Sequence, residues 1–270
     1  MPNDAPGPAN HGDGIVELLS RVQRSLEEER ELFGESLLVE KPPTYRESAV
    51  AAKKLVVKDE PLLFELPPAP AAAITTEPWG LADSLTSLHG QICDCVKCGL
   101  GNTRTKFVFG VGNPRATLML IGEAPGADED AQGEPFVGRA GQLLNKILEA
   151  IDFKREDVYI CNILKCRPPG NRTPQAEEVD QCLPYLKKQI QIVKPKLILC
   201  LGLVAAENLL QTKESLSKLR GKVLQFENIP LMVTYHPAAL LRNPNWKRPT
   251  WEDVQAVRKL HDELVAKSTS

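Results

Sequence analysis

Four short apolar runs constrain the fold of this chain more than any other feature of its sequence. They are nearly continuous and lie at 116–122, 158–163, 197–202 and 231–235. Runs of this kind are expected of strands that are buried on both faces of a parallel sheet. Helical patterns alternate with them, at 140–150, 174–193, 204–210 and 251–266. The alternation predicts an α/β fold, a three-layer α/β/α sandwich around a central, mostly parallel four-stranded sheet.

The first 80 residues differ in composition from the rest. They hold ten of the 22 prolines and runs of alanine, which is typical of linkers. We therefore expect a largely disordered N-terminal extension over 1–80 and a folded domain over 81–270. Apolar residues between 15 and 33 recur at near-helical spacing and predict one helix in the extension. This helix is either a plain surface helix or a docking element for an unknown protein partner.

Charge is distributed unevenly along the chain. Residues 1–85 carry 8 Lys and Arg against 15 Asp and Glu, whereas 86–270 carry 25 against 20. The basic C-terminal part is compatible with a polyanionic partner. No apolar run approaches the roughly 18 residues that span a bilayer, and no secretory signal precedes the cysteines. These features predict a cytoplasmic protein without membrane contact, and we expect it to be a monomer.

Four of the seven cysteines are spaced as one ligand set. Cys95 and Cys98 form a C-x2-C pair, and Cys166 and Cys182 follow after a whole βα unit. Thiolates gathered in this way suit a soft metal or an iron–sulfur cluster. Structural zinc sites usually combine two short C-x2-C pairs, and the second half here is longer. Zinc and unrelated thiols remain open as alternatives, whereas an odd cysteine count without a secretory signal disfavours disulfides.

Polar and aromatic residues gather at the predicted carboxyl ends of the strands. The first run leads into GEAPGADED at 122–130, the second ends at Asn162, and the fourth precedes HPAALLR at 236–242. In an open parallel sheet these ends meet at one edge, where ligands bind. The loop PFVGRAG at 135–141 stands before a predicted helix and can bring an aromatic ring over the same cleft. The sequence therefore predicts a site at this edge.

These motifs, in this order and with the four cysteines interleaved, closely resemble the family 4 uracil-DNA glycosylases, the iron–sulfur class. The resemblance runs from Cys95 to the C-terminus and leaves the N-terminal extension unassigned. It implies a DNA-repair hydrolase that flips uracil out of single- or double-stranded DNA and hydrolyses its N-glycosidic bond, leaving an abasic site. It also implies a 4Fe-4S cluster held by Cys95, Cys98, Cys166 and Cys182.

Three residues match the family's positions around the base. Phe136 is expected to stack on the flipped ring, with core packing as the alternative. The amide of Asn162 can donate to uracil O4 and accept from N3–H, although an Asn ending a strand can also cap a turn. His236 is placed to donate a hydrogen bond to uracil O2 as negative charge develops there, and a neutral imidazole suffices for this.

The acidic motif supplies further expectations from the resemblance. Glu129 matches the position that blocks the C5 methyl group of thymine, and Gly122 belongs to the substrate-binding set. Glu123 resembles the residue that helps to place the water and the base. Ala124 stands where the best-known class of glycosylases keeps its water-activating carboxylate, so the general base stays open.

Residues after the histidine are expected to contact DNA. Leu240 and Leu241 are predicted in an exposed loop, as a wedge that fills the gap left by the flipped base. The basic residues expected near phosphates are Arg242, Lys165, Arg167, Arg172, Arg104 and Lys106.

Two other functional classes compete with a repair hydrolase. A non-catalytic nucleic-acid-binding module with a structural zinc would not require His236 and Asn162 to act together. An electron-transfer protein would typically offer a second redox centre or a partner patch, and none is visible in the sequence.

Overall fold

The computed structural model describes residues 77–268. It contains a six-stranded sheet with the strand order β1-β3-β2-β4-β6-β5. The predicted N-terminal extension up to residue 76, with its helix, lies outside the described residues. The strands are β1 (Val111–Gly112), β2 (Leu118–Gly122), β3 (Tyr159–Asn162), β4 (Leu197–Leu201), β5 (Leu224–Phe226) and β6 (Ile229–Thr234).

The four inner strands are parallel and correspond to the four apolar runs. β3 pairs with β2, β2 with β4, and β4 with β6. β1 and β5 add an antiparallel strand at each edge. The α/β fold class is confirmed. The expected count of four strands is wrong, because the sheet has these two additional edge strands. β1 has two residues and β5 has three, too few to show a strand pattern in the sequence.

Helices cover both faces of the sheet. They are α1 (Leu85–Ile92), α2 (Ala127–Gln132), α3 (Arg139–Glu149), α4 (Ala176–Val193), α5 (Leu203–Leu210), α6 (Leu216–Leu219), α7 (Pro237–Arg242) and α8 (Lys247–Lys267). Short 3-10 turns occur at Pro78–Leu81, Gly99–Asn102, Pro169–Asn171 and Pro244–Trp246. Between residues 77 and 268, none of the helices has the length and apolar character needed to cross a membrane.

Two apolar cores lie on opposite faces of the sheet. Successive side chains of a strand point to opposite faces. Met119 and Ile121 of β2 accordingly pack in the core that contains α1, α4 and α5. Leu118 and Leu120 pack in the other core, with α3 and α8. Each fully buried leucine contributes about 1.5–3 kcal/mol, so this double burial holds the three layers together and fixes the strand ends.

Candidate active site at the carboxyl edge of the sheet

The strand ends that carry the predicted site converge at one edge of the sheet. Gly122 at the end of β2 lies opposite Asn162 at the end of β3 in the parallel register. The pairing continues beyond the strands, because Ile163 N–H donates to Gly122 O at 2.9 Å and Leu164 N–H to Glu123 O at 3.1 Å. β6 ends at Thr234, two residues before His236. The structure thus brings the three predicted segments to the same edge.

Asn162 carries an unpaired polar atom at this edge. Its side chain is 2% exposed. Its Oδ1 is the one buried side-chain nitrogen or oxygen, among residues 77–268, that has no hydrogen-bond partner. A buried acceptor without a partner costs about 1–3 kcal/mol. Such an atom is a candidate for contact with a bound donor.

Gly122 allows the neighbouring side chains to come close together. A Cβ at Gly122 would lie 2.4 Å from Asn162 Oδ1 and 2.7 Å from Cζ of Phe136. Any side chain at this position would therefore displace one of the two groups. The absence of a side chain at 122 is a requirement of the site's geometry.

Phe136 lies between the ends of β2 and β6. Its ring stacks on the imidazole of His236, with 5.4 Å between ring centroids and 29° between planes. Its side chain is 5% exposed and belongs to the core that contains α3 and α8, and the ring also reaches the predicted cleft. Its φ is +54°, in the left-handed region that few non-glycine residues adopt. Such conformations cluster at functional sites.

His236 presents a defined hydrogen-bonding pattern. It precedes α7, and its Nδ1 accepts a hydrogen bond from the N–H of Ala238 at 3.1 Å. An Nδ1 that accepts carries no proton, so the neutral ring carries its proton on Nε2. Burial, together with the charge of Arg242, lowers the pKa of His236 to about 4, against the raising effect of Glu129. The group is therefore a neutral Nε2–H donor at ordinary pH.

Glu129 of α2 is tied to the loop that carries Phe136. Its Oε1 accepts from the N–H groups of Val137 and Gly138, both at 3.0 Å, and its Oε2 accepts from Gly126 N–H at 3.1 Å. Both carboxylate oxygens are thus engaged with main chain. The observed contacts of Glu129 are with the loop, and they fix the position of the residue next to Phe136.

Glu123 lies close enough to Arg242 for the two charges to interact. Glu123 follows β2 and is half-buried, and burial raises the pKa of its carboxyl group, against the lowering effect of the Arg242 charge. Arg242 ends α7 and is exposed. A carboxyl group with a raised pKa in a cleft is a candidate for handling protons or water.

The two leucines after the histidine differ in burial. They belong to α7, a short helix, and not to the expected exposed loop. Leu240 is 1% exposed and packs in the core with α3 and α8, so its assignment as an exposed wedge is wrong. Leu241 is 43% exposed. Neighbouring residues of a helix point about 100° apart, which explains why one leucine faces the core and the other faces solvent.

Several basic residues expected near phosphates have other partners. Lys165 is fully buried, and its Nζ donates to the main-chain oxygen of Asn162 at 2.8 Å, so it contacts no phosphate. Arg172 forms an ion pair with Glu178 at 2.5 Å. Arg104 donates to the sulfur of Cys166 at 3.3 Å. Of the remaining basic residues, Lys106 and Arg242 are exposed and Arg167 is half-buried.

The four predicted ligand cysteines lie in one region. Burial raises the pKa of the Cys166 thiol against the lowering effect of Arg104, and the nearby Cys98 and Cys95 add to the increase. Burial also raises the pKa of Cys182 to about 12, against the lowering effect of Lys165 and with small additions from Cys166 and Cys95. Within the described part of the chain, no three His, Cys, Asp or Glu side chains approach closely enough to hold a metal ion. All seven cysteines are free thiols.

Hydrogen-bond donors point at three of these four sulfurs. The Tyr185 hydroxyl donates to Cys95 Sγ, and the main-chain N–H of Lys165 donates to Cys182 Sγ, both at 3.3 Å. Arg104 donates to Cys166 Sγ, as described above. Donors of this kind stabilise thiolates and tune iron–sulfur centres. The donor set and its surroundings therefore suit a thiolate-bound group.

Sequence reasoning missed two residues that hold the Phe136 loop. Arg155 donates to Pro135 O at 2.5 Å and to Asn145 Oδ1 at 3.2 Å. A Cβ at Gly141, in the first turn of α3, would lie 1.9 Å from Phe136 O. A glycine inside a helical pattern was an available signal for such a close approach. Arg155 gave no signal, because its partner is a main-chain oxygen 20 residues away.

Comparisons with known proteins identify the family of this chain. A sequence model described as the uracil DNA glycosylase superfamily matches residues 109–259, more than half of the chain. The type-4 uracil-DNA glycosylase of Archaeoglobus fulgidus is 44% identical over 186 residues, which cover 66% of this chain and 94% of the relative. The type-4 enzyme of Pyrobaculum aerophilum is 48% identical over 168 residues, 59% of this chain and 86% of the relative.

A relative of another class is less similar. The type-5 uracil-DNA glycosylase of Pyrobaculum aerophilum is 31% identical over 163 residues, which cover 54% of this chain and 71% of the relative. The type-4 enzyme of the same organism is thus the nearer of the two. The chain belongs to the uracil DNA glycosylase superfamily, and its resemblance to the type-4 class is confirmed.

Proposed function

We propose that the protein flips uracil out of DNA and hydrolyses the bond between uracil N1 and deoxyribose C1′, as a step of base excision repair. Water adds to C1′, the base leaves with the bonding electrons, and free uracil and an abasic site result. The observation that carries the proposal is the unpartnered, buried Oδ1 of Asn162 beside Phe136 and Gly122. The membership of this chain in the uracil DNA glycosylase superfamily supports DNA as the substrate.

Asn162 is proposed to select uracil. Its Oδ1 would accept from uracil N3–H, and its Nδ2 would donate to O4. Cytosine presents the reverse pattern, an acceptor at N3 and a donor at N4, so it would leave both contacts unmade. A bidentate contact of this type discriminates by about 1–3 kcal/mol. The missing partner of Oδ1 in the free protein supports this assignment, because bound uracil would supply it.

His236 is proposed to stabilise the leaving group. Negative charge develops on uracil O2 as the bond breaks, and the Nε2–H donor would meet it there. The donor is fixed in advance by the Ala238 N–H bond to Nδ1, so no reorganisation is needed during the reaction. The lowered pKa supports a neutral donor, since an imidazolium would be the minor form at neutral pH.

Phe136, Gly122 and Glu129 are proposed to shape the base pocket. Phe136 would stack on the flipped base, and Gly122 would leave room beside the reading amide. Glu129, next to this loop, would exclude the C5 methyl group of thymine. Its hydrogen bonds to Val137 and Gly138 support a rigid wall at this side. A rigid wall discriminates against a methyl group better than a mobile one.

Glu123 is proposed to place the attacking water and to help orient the base. Its half-buried carboxyl group has a raised pKa and follows directly after β2. Attack on an oxocarbenium-like sugar depends mainly on positioning, which a single oriented carboxylate can supply.

DNA is proposed to lie across the exposed end of α7, as a single or double strand. Leu241 is the exposed apolar side chain there and takes over the proposed wedge role from Leu240. Arg242, its exposed neighbour, would contact a phosphate. Arg167 and Lys106 are further candidates for phosphate contacts.

A 4Fe-4S cluster is proposed at Cys95, Cys98, Cys166 and Cys182. The three donors that point at Cys95, Cys166 and Cys182 support the fit of these residues to such a group. When bound, the cluster would act as a structural cross-link between the segment before β1 and the loop after β3. The residues that follow Asn162 would then be anchored close to the reading amide.

Residues 1–80 are proposed to form an extension that can bind a protein partner, and residues 81–270 are proposed to form the catalytic domain of a monomer. All proposed site residues and all four proposed ligand cysteines lie between 95 and 242, which supports this division. Seven free thiols support a reducing, cytoplasmic location.

The direct test is incubation with an oligonucleotide that contains one uracil, followed by alkali and analysis of strand breakage. The expected result is cleavage at uracil and none at thymine or cytosine in the same position. A matched oligonucleotide without uracil serves as the control. Intact strands after incubation with iron-loaded protein would refute the proposal. A brown protein solution with broad absorption near 400 nm would separate it from a zinc-binding module.

A further inference from the structure

We propose that Arg155 is a positioning residue for base excision, which holds the Phe136 ring in place through the carbonyl oxygen of Pro135. The inference rests on the proposed function of the site. Arg155 lies in the turn between α3 and β3, and its own side chain does not contact the predicted base-reading or leaving-group residues. Its effect would therefore pass through the loop that it holds.

The conformation of Phe136 needs support from its surroundings. With φ at +54°, its main chain is in the left-handed region, which is unfavourable for a residue that has a Cβ. Such a conformation persists only where neighbouring contacts over-determine it. The ring that results from this conformation stacks on His236 and contacts Gly122. Loss of the support would move the ring away from both.

Three contacts supply this support from different sides. On the C-terminal side, the Glu129 carboxylate accepts from the N–H groups of Val137 and Gly138 at 3.0 Å. On the N-terminal side, Arg155 donates to Pro135 O at 2.5 Å. Below the loop, Gly141 lets the first turn of α3 approach Phe136 O, where no Cβ would fit. The peptide groups on both sides of Phe136 are thus held by opposite charges.

Arg155 is suited to this role by its shape. One guanidinium nitrogen donates to Pro135 O, and the other donates to Asn145 Oδ1 on α3 at 3.2 Å. The planar fork therefore sets the distance between the loop and the helix that follows it. Hydrogen bonds from a charged donor are stronger than those between neutral groups. A lysine carries a single donor centre and cannot span both acceptors in the same way.

A double-mutant cycle tests whether Arg155 acts through Phe136. The four proteins are wild type, Arg155→Met, Phe136→Ala and the double variant, compared by single-turnover excision of uracil from one oligonucleotide. Misplacement of a positioning group commonly lowers the rate by about 10- to 100-fold, and we expect this loss for Arg155→Met in the wild-type background. In the Phe136→Ala background, the same change should cause no further loss, because the ring is already absent.

Arg258→Met is the matched control. Arg258 also donates from a guanidinium group to main-chain oxygens, those of Ile151 and Asp152, which follow the end of α3. It has no contact with the Phe136 loop, so its variant should excise uracil at the wild-type rate. Arg155→Lys should fall between wild type and Arg155→Met. If Arg155→Met does not fold, Arg155→Lys takes its place in the cycle.

Hydrogen exchange gives a reading that does not depend on activity. The amides of Val137 and Gly138 should exchange faster in Arg155→Met than in wild type or Arg258→Met. A wild-type protein without uracil excision would refute the proposed function and this inference with it. If the wild type is active, two results would refute this inference and leave the proposed function standing. One is full activity of Arg155→Met. The other is a double variant whose loss in rate equals the product of the losses of the two single variants.

Discussion

The ammonium group of Lys165 lies 2.8 Å from the main-chain oxygen of Asn162 and donates a hydrogen bond to it. Lys165 is fully buried, and its other acceptor is Gln189 Oε1 at 2.6 Å. Gln189 in turn donates to Phe109 O and to the Tyr159 hydroxyl, both at 3.0 Å. A buried ammonium is tolerated only where such partners replace its lost hydration. Asn162 is therefore held from its main-chain side by a network that reaches α4.

Lys165→Met should weaken this network. The change leaves the Asn162 carbonyl and the Gln189 amide oxygen without their donor, which costs about 1–3 kcal/mol in the free energy of unfolding. Urea denaturation of the variant and the wild type measures this difference. Lys188→Met is the control, because Lys188 also donates to a main-chain oxygen, that of Gly80 at 2.7 Å, but is only half-buried. Equal stability of Lys165→Met and wild type would contradict the expectation.

Asn162→Asp should weaken excision of uracil. A carboxylate accepts from N3–H but cannot donate to O4, so one contact becomes repulsive. The loss of one well-placed pair corresponds to about 1–3 kcal/mol, or roughly 5- to 150-fold in the single-turnover rate. Asn208→Asp is a suitable control, since Asn208 donates only within α5, to Val204 O at 2.7 Å. Near wild-type excision by Asn162→Asp would remove Asn162 from the role of base reader.

The sequence predicted the position of the site better than the environment of single residues. The inner strands and their carboxyl ends could be predicted from the sequence, because a strand that is buried on both faces consists of a continuous apolar run. Leu240 and Leu241 are identical neighbours, so only the direction of α7 decides which one is buried. Lysine side chains are usually exposed, so the sequence predicted Lys165 at the surface near phosphates. Its burial depends on Gln189, a partner 24 residues away, which the sequence does not reveal. The left-handed Phe136 has no sequence signal, since it arises from contacts with Glu129 and Arg155.

The cysteines should divide into two groups by their effect on iron content. Cys166→Ala and Cys182→Ala should lose iron and give little soluble protein, because the loop after β3 would lose its cross-link. Cys161→Ala and Cys200→Ala are the controls, since both residues lie in fully buried strand positions and should keep wild-type iron per protein. Iron analysis and absorption near 400 nm provide the measurement. Loss of iron from either control would refute the proposed ligand set.

The pKa of His236 predicts how excision depends on pH. Because burial lowers this pKa to about 4, the imidazole is a neutral donor throughout the neutral range. The single-turnover rate should therefore not fall as the pH rises from about 5 to 8. If the reaction instead needed a protonated His236 with the ordinary pKa of histidine, the rate would fall within this range as the proton is lost. A rate that drops with increasing pH through this range would show that the charged form acts.

The same pKa predicts an effect of acid on stability. The unfolded chain binds a proton on this histidine near the ordinary value of 6.5, while the folded protein does so only near 4. The unfolded state thus binds more protons between these values, and the free energy of unfolding falls as the pH is lowered through this window. His236→Gln has no titrating group there and should lose less stability than wild type. Urea denaturation at the two ends of the window tests this; equal losses would contradict it.

His236→Ala tests the residue on which the proposed chemistry depends most. A donor that is fixed in advance at a developing oxyanion contributes about 10²–10³ in rate, and we expect this loss in single-turnover excision. Affinity for abasic DNA should change little, because phosphate contacts supply most of the binding. His236→Gln should recover part of the rate if a neutral donor is sufficient.

His89→Ala is the control for this experiment, since His89 is exposed on α1 and packs beside Phe109, away from the strand ends. It should leave both the rate and the affinity unchanged. The single-turnover rate and the dissociation constant for abasic DNA are measured for all proteins at one salt concentration, because phosphate contacts make binding salt-dependent. A His236→Ala protein that binds abasic DNA tenfold more weakly, yet cleaves at the wild-type rate once saturated, would make His236 a DNA-positioning residue. The stabilisation of uracil O2 would then have to come from another donor at this edge of the sheet.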